Sequence, residues 1–117
     1  MKREENIMTQ VAVIHAAFED VPHTVAFVNV PDLPSDTEKL EYAYRWTNNV
    51  MGSWSIKEEY FEDGEKNGDY NPNVTVMAPL KEVDGQTYGL RSTSMNDQML
   101  LGTKKYKVAM MGFEEIV

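Results

Sequence analysis

The sequence predicts an α+β fold: a strongly bent antiparallel sheet, or a small barrel-like β domain, of 6–8 strands packed on one helix at about residues 36–49. Three observations carry that expectation. A helix-start signature followed by an apolar stripe of helical period occurs once, at Ser35. The other apolar runs are short and alternate with period two, as half-buried strands do. Turn-forming Gly, Asn, Asp and Pro residues separate those runs at hairpin-like spacing.

Residues 1–8 are polar, lack periodicity and are expected to form a flexible extension, with residues 9–117 as one α+β domain. Thr9 to Phe18 reads as the first strand, rich in Val11, Val13 and Ile14 and broken by Val21-Pro22. His23 to Val30 alternates apolar and polar residues and reads as its hairpin partner. At Ser35-Asp36-Thr37-Glu38 the hydroxyl of Ser35 would accept from the Glu38 N–H while the Glu38 carboxylate reaches back. Leu40, Ala43, Tyr44 and Thr47 then share one helical stripe, flanked by Tyr42 and Trp46, and Asn48-Asn49 and Gly52 mark the stop. Ser53 to Phe61 places Trp54, Ile56 and Glu58 on one parity and is expected to be a strand. Glu62 to Asn73 is dense in charge and turn formers and is expected to be an exposed loop. Val74 to Leu80 reads as a strand. Asp84-Gly85 supplies the positive φ angles of a type I′ turn, with Thr87 to Arg91 returning. A last pair of strands, Gln98 to Leu101 and Lys105 to Met111, flanks Gly102-Thr103, and Gly112 to Ile116 closes the sheet.

At 117 residues the chain suits one core, with 42% hydrophobic and 26% charged residues near globular averages. The absence of cysteine removes disulfides, thiolate metal sites and a thiol nucleophile, and fits a cytoplasmic setting. No apolar stretch at the start resembles a secretory signal or membrane anchor. Eleven Lys and Arg against 19 Asp and Glu give a net charge of -8 and a pI near 4.7, which repels nucleic acid and anionic membrane. The excess acid suits either solubility or attraction of a basic partner surface.

Few residues suggest chemistry. The loop from Asp63 to Asn71 sets oxygen side chains at alternate positions with Gly68 sixth, as a calcium loop begins, but Val74 occupies the position of the bidentate Glu. The ordinary reading is a hairpin loop. His15 and His23 would lie near each other across the first turn and are the candidate metal or acid-base pair, although nothing in their spacing demands it. Tyr42 and Trp46 are candidate partner-facing aromatics, whereas Trp54 reads as core. Arg91, Ser92 and Ser94 gather a guanidinium and hydroxyls in one turn that would hold an anion or cap its own backbone. The sequence offers no catalytic residue and calls for no cofactor.

The run Arg91-Ser92-Thr93-Ser94-Met95-Asn96-Asp97, then Tyr106, then Gly112-Phe113-Glu114-Glu115-Ile116, resembles the pattern R-S-x-S-V-G-D, an aromatic and a G-F/W-x-x-I end. That pattern recurs in YodL-like domains and in small phage and plasmid proteins. Met95 replaces Val and Asn96 replaces Gly, the latter a residue that tolerates left-handed backbone. The resemblance implies a mobile-element context and carries no activity. The expected function is therefore a non-enzymatic accessory protein that binds a host or element protein through an acidic and aromatic surface, in the host cytoplasm if phage-encoded. Two alternatives stand beside it. One is a small ligand- or metal-binding domain or enzyme using His15 and His23, and the other is a self-associating structural or virion component.

Overall fold

The computed structural model describes residues 9–117, and the flexible extension expected over residues 1–8 lies outside them. The elements are β1 (Thr9–His15), β2 (His23–Val30), α1 (Asp36–Arg45), β3 (Val74–Val76), β4 (Lys81–Val83), β5 (Gln86–Tyr88), β6 (Gln98–Leu101), β7 (Lys104–Val108) and β8 (Phe113–Ile116). Six strands form one antiparallel sheet in the order β3-β2-β1-β6-β7-β8, and β4 and β5 pair as a separate ribbon. The α+β class read from the sequence is the class observed. The sheet ends at β3 and β8, which do not pair with each other, so it is open and not a barrel.

β1 and β2 form the expected hairpin, with Val11 opposite Val28, Val13 opposite Ala26 and His15 opposite His23. An irregularity between Val13 and Ile14 shifts the register at the His15 end. The core gathers Val11, Val13, Val28, Met99 and Leu101 from the sheet with Leu40 and Ala43 of α1 and Trp54. Trp54 is fully buried, as its sequence context suggested. Leu40, at 1% exposure, contributes about 2 kcal/mol by leaving water.

Ser35 caps α1: its Oγ accepts from the Glu38 N–H at 3.1 Å and donates to the Glu38 Oε1 at 2.9 Å. The helix ends at Arg45, four residues before the predicted limit at 49. The cause lies in two side chains. Thr47 Oγ1 donates to the Ala43 carbonyl at 2.8 Å and Asn48 Nδ2 to the Tyr44 carbonyl at 2.6 Å, competing for acceptors that a further helical turn would use.

Residues 53–61 correct a second expectation, because they form no strand. Trp54 and Ser55 are both buried in succession, which alternation forbids. The carbonyls of Ser53, Ile56 and Glu58 all accept from one amide, Nδ2 of Asn67, at 2.9, 3.1 and 3.0 Å. Three carbonyls that converge on one nitrogen wrap the backbone around it. A third correction covers part of residues 62–73, expected as an exposed loop: residues 62–66 are exposed, but Asn67, Asp69 and Asn71 are buried and hydrogen-bonded. Four strands also stop earlier than expected, β1 at His15, β3 at Val76, β5 at Tyr88 and β7 at Val108.

The turn chemistry agrees with the sequence reading at two sites. Asp84 and Gly85 have φ of 53° and 80°, the pair of positive angles of a type I′ hairpin, and Asn96 has φ of 79° at the position where the resembled pattern carries Gly. No helix among the described residues is long and apolar enough to cross a membrane.

If Asn67 organises residues 53–58, Asn67→Ala orphans three carbonyls and the N–H groups of Ser53 and Asp69 that its Oδ1 receives. Urea denaturation should show a loss of about 3 kcal/mol or more, against less than about 0.5 kcal/mol for the exposed Glu41→Ala. Similar small losses for both would contradict this role.

Candidate functional site: a groove held by buried polar clamps

The motif Arg91–Asp97 folds back on itself. Asp97 is fully buried, and its carboxylate accepts five hydrogen bonds. Oδ1 takes the N–H of Ala16 at 2.8 Å, the N–H of Ala17 at 2.9 Å and Arg91 Nη2 at 2.9 Å. Oδ2 takes Arg91 Nη1 and the Ser94 N–H, both at 2.8 Å. Burial alone would raise the Asp97 carboxyl, but the guanidinium and the three backbone N–H groups outweigh it and hold the carboxyl at about 2.

Arg91 uses every donor it has. Besides Asp97, its Nε and Nη2 reach Glu19 at 3.1 and 2.9 Å, and Nη1 also donates to the Ser92 carbonyl at 2.8 Å. Its hydrogen bonds hold the Glu19 carboxyl below the usual carboxylate range. The guanidinium lies 4.9 Å from the ring centre of Phe18, which is itself 75% exposed. No N–H of Arg91 remains to offer an anion. Ser92 Oγ receives the Asn49 N–H at 2.8 Å, and Ser94 Oγ donates to the Ser92 carbonyl at 3.3 Å. The three residues singled out for anion binding thus sit together, with their polar atoms turned inward on the fold.

His15 and His23 are register partners, yet they occupy different surroundings. His15 is buried at 2% exposure, packed edge-on to Trp54, whereas His23 is exposed beside the Val21 carbonyl. His15 Nε2 lies 3.0 Å from Thr93 Oγ1. Thr47 Oγ1 spends its proton on the Ala43 carbonyl, and Thr93 Oγ1 donates to Thr47 Oγ1 at 2.9 Å. Thr93 can therefore only accept from His15, which fixes the neutral ring as the Nε2–H tautomer. Desolvation lowers the His15 pKa despite the attraction of Asp97. Among the described residues no group of three His, Cys, Asp or Glu side chains forms a metal site.

Tyr42 and Trp46 are half-buried. Tyr42 Oη accepts from Asn71 Nδ2 and Asn73 Nδ2, both at 3.0 Å, and the Arg45 guanidinium covers Trp46 at 4.1 Å. Their flank carries a second buried clamp. Asp69 is fully buried, accepting from Arg45 Nη1 at 3.2 Å and from the N–H groups of Val50 and Met51 at 2.8 and 2.9 Å. Gly52 is required beside it, because any Cβ there would strike Asn67 Oδ1. From Asn67 to Asn71 the calcium-like loop is therefore an internal brace in which the side-chain oxygens of Asn67, Asp69 and Asn71 receive backbone N–H groups.

A further feature is absent from the sequence reading. A groove of about 720 Å³ runs between residues 56–62 and the β4–β5 ribbon. Its apolar lining comes from Ile56, Phe61 and Leu80, and its acidic lining from Glu58, Glu62 and Asp84. Lys57 also lines it, with Nζ held by the Asn71 carbonyl at 2.6 Å and placed 4.8 Å from the Tyr70 ring centre. Every residue from Lys81 to Gly89 is exposed, so the ribbon forms a projecting wall. No local pattern announced this groove, because its two walls are separated along the chain by β3. Neither His15 nor His23 lines this groove or the smaller hollow of about 230 Å³ beside Tyr44 and Phe113.

The acid limb of stability follows from two buried groups whose titration is shifted, His15 and Asp97. His15 is lowered from 6.5, so the unfolded chain takes a proton first, and its contribution is lost as pH falls below about 6.5. Asp97 is lowered from 3.8 to about 2, so its contribution, on the order of 2 kcal/mol, is full above 3.8 and lost toward pH 2. Denaturation across pH should show both losses, with His15→Gln removing the upper one and Asp97→Asn the lower. An acid limb identical in wild type and Asp97→Asn would contradict the clamp.

The chain matches no protein-family model, no curated protein sequence and no solved structure.

Proposed function

We propose that this protein is a non-enzymatic binding module that docks a partner protein through the groove between residues 56–62 and the β4–β5 ribbon. One observation carries the reading: the groove joins an apolar floor of Ile56, Phe61 and Leu80 to an acidic rim of Glu58, Glu62 and Asp84. That combination suits a basic segment with an apolar anchor, since the floor supplies burial and the rim supplies steering. The net charge of -8 adds long-range attraction for a basic protein surface and repulsion of nucleic acid. Support for a phage or mobile-element setting comes from the resemblance of residues 91–97 and 112–116 to small proteins of such elements. In that setting the partner is a protein of the host or of the element, met in the cytoplasm.

The test is selection from a library of short peptides, followed by NMR titration of the full chain with the winners. Selected peptides should be rich in Lys and Arg around an apolar residue and should shift the amides of Ile56, Phe61 and Thr87. Glu58→Lys/Glu62→Lys/Asp84→Lys should weaken them at least about tenfold. Peptides that bind equally well to this variant, or shift only amides outside the groove, would refute the assignment.

A further inference from the structure

The same chain carries a surface complementary to its own groove. In a protein with 19 acidic and 11 basic residues, β7 opens with Lys104 and Lys105 at the exposed tip of the β6–β7 hairpin, where Gly102 and Thr103 form the turn. Gly102 has φ of 64°, so the tip is a tight convex turn. Leu100, 37% exposed, sits directly opposite Lys105 in the ladder and gives it an apolar neighbour, while Lys104, opposite Leu101, leaves the hairpin on the other face. A convex tip with two lysines and a leucine has the chemistry that the groove's apolar floor and acidic rim would accept.

The two surfaces cannot meet within one molecule. Leu80 follows β3 closely, and Lys57 reaches from the groove to Asn71 just before β3, so the groove lies beside the β3 edge of the sheet. β7 is the fourth strand along from β3 in the order β3-β2-β1-β6-β7, which at ordinary strand spacing is about 19 Å across the sheet. Complementary patches that are far apart and non-identical pair head-to-tail, and each added copy leaves a fresh tip and a fresh groove exposed.

We infer that the partner taken by the groove includes a second copy of this chain, whose β6–β7 tip enters between the two walls with Lys104 on one face and Lys105 on the other, each meeting the acidic rim of Glu58, Glu62 and Asp84. The inference rests on the groove being a protein-docking site. The contact is heterologous, and the assembly grows by repetition of one interface. Its strength falls with salt, because the charges sit at a solvent-exposed rim.

Analytical ultracentrifugation of the full chain at low salt tests this with two variants. Lys104→Glu/Lys105→Glu keeps the groove and reverses the tip, while Glu58→Lys/Glu62→Lys/Asp84→Lys keeps the tip and reverses the groove. Wild type should show a mass that rises with concentration past that of two copies and collapses at high salt. Each variant alone should stay monomeric, with far-UV circular dichroism matching wild type. Mixed in equal amounts they should associate again in a salt-sensitive way, since the intact tip of one meets the intact groove of the other and the two reversed surfaces are again opposite in charge. A wild type that stays monomeric at low salt, or variants that fail to pair on mixing, would overturn the inference. In that event, selected basic peptides that still bind the groove would preserve the docking function with a different protein as partner.

Discussion

A single buried carboxylate locks together three parts of this chain just where the β1–β6 ladder ends at Ile14 and Gln98. Asp97 takes the backbone N–H groups of Ala16 and Ala17 at the end of β1, the N–H of Ser94 in its own turn, and two N–H groups of Arg91. A bare carboxylate at zero exposure would cost many kcal/mol, so the site exists only because every acceptor direction is filled. Arg91 passes the constraint outward to Glu19 and thus to the β1–β2 connection. The backbone of Asp97 meanwhile receives the Val108 N–H at 2.8 Å, which ties the same residue into β7. The end of the sheet near His15 is therefore set by one side chain and its partners.

The same solution recurs in the stretch between α1 and β3. Asn67 replaces a strand partner for residues 53–58, Asp69 gathers the N–H groups of Val50 and Met51, and Asn49 bridges the Trp54 N–H and the Leu90 carbonyl. Ser55 Oγ then receives the Leu90 N–H at 2.7 Å, fixing where the chain returns from the β4–β5 ribbon. Side-chain amides and carboxylates thus satisfy a long irregular segment that has no sheet to join. The groove depends on this arrangement. One wall follows directly from the segment that Asn67 shapes, and the other is the ribbon anchored through Ser55.

The parts legible in the sequence were those governed by neighbours along the chain. Ser35 and Glu38 announced the start of α1, Asp84-Gly85 announced a type I′ turn, and the alternation in His23 to Val30 announced β2. The reading of Ser53 to Phe61 failed because period-two alternation was present while the competing interaction, from Asn67, lay outside the window. Asn67, Asp69 and Asn71 were read as solvated for a related reason: the residue types that favour open turns are also those able to satisfy buried backbone groups. Arg91, Ser92 and Ser94 were recognised as one unit, but their direction was not legible, since an inward clamp and an outward anion site use the same atoms. The groove was invisible because it is a relation between two distant segments and has no motif of its own.

Hydrogen exchange of the Ala16, Ala17 and Ser94 amides tests the central constraint most directly. They belong to no common element, yet all three end on the Asp97 carboxylate. The account predicts that they exchange slowly and at closely similar rates, comparable to the amides of β1, because they open only when that carboxylate is released. Fast, independent exchange at Ala16 and Ala17 with protection surviving at Ser94 would contradict it.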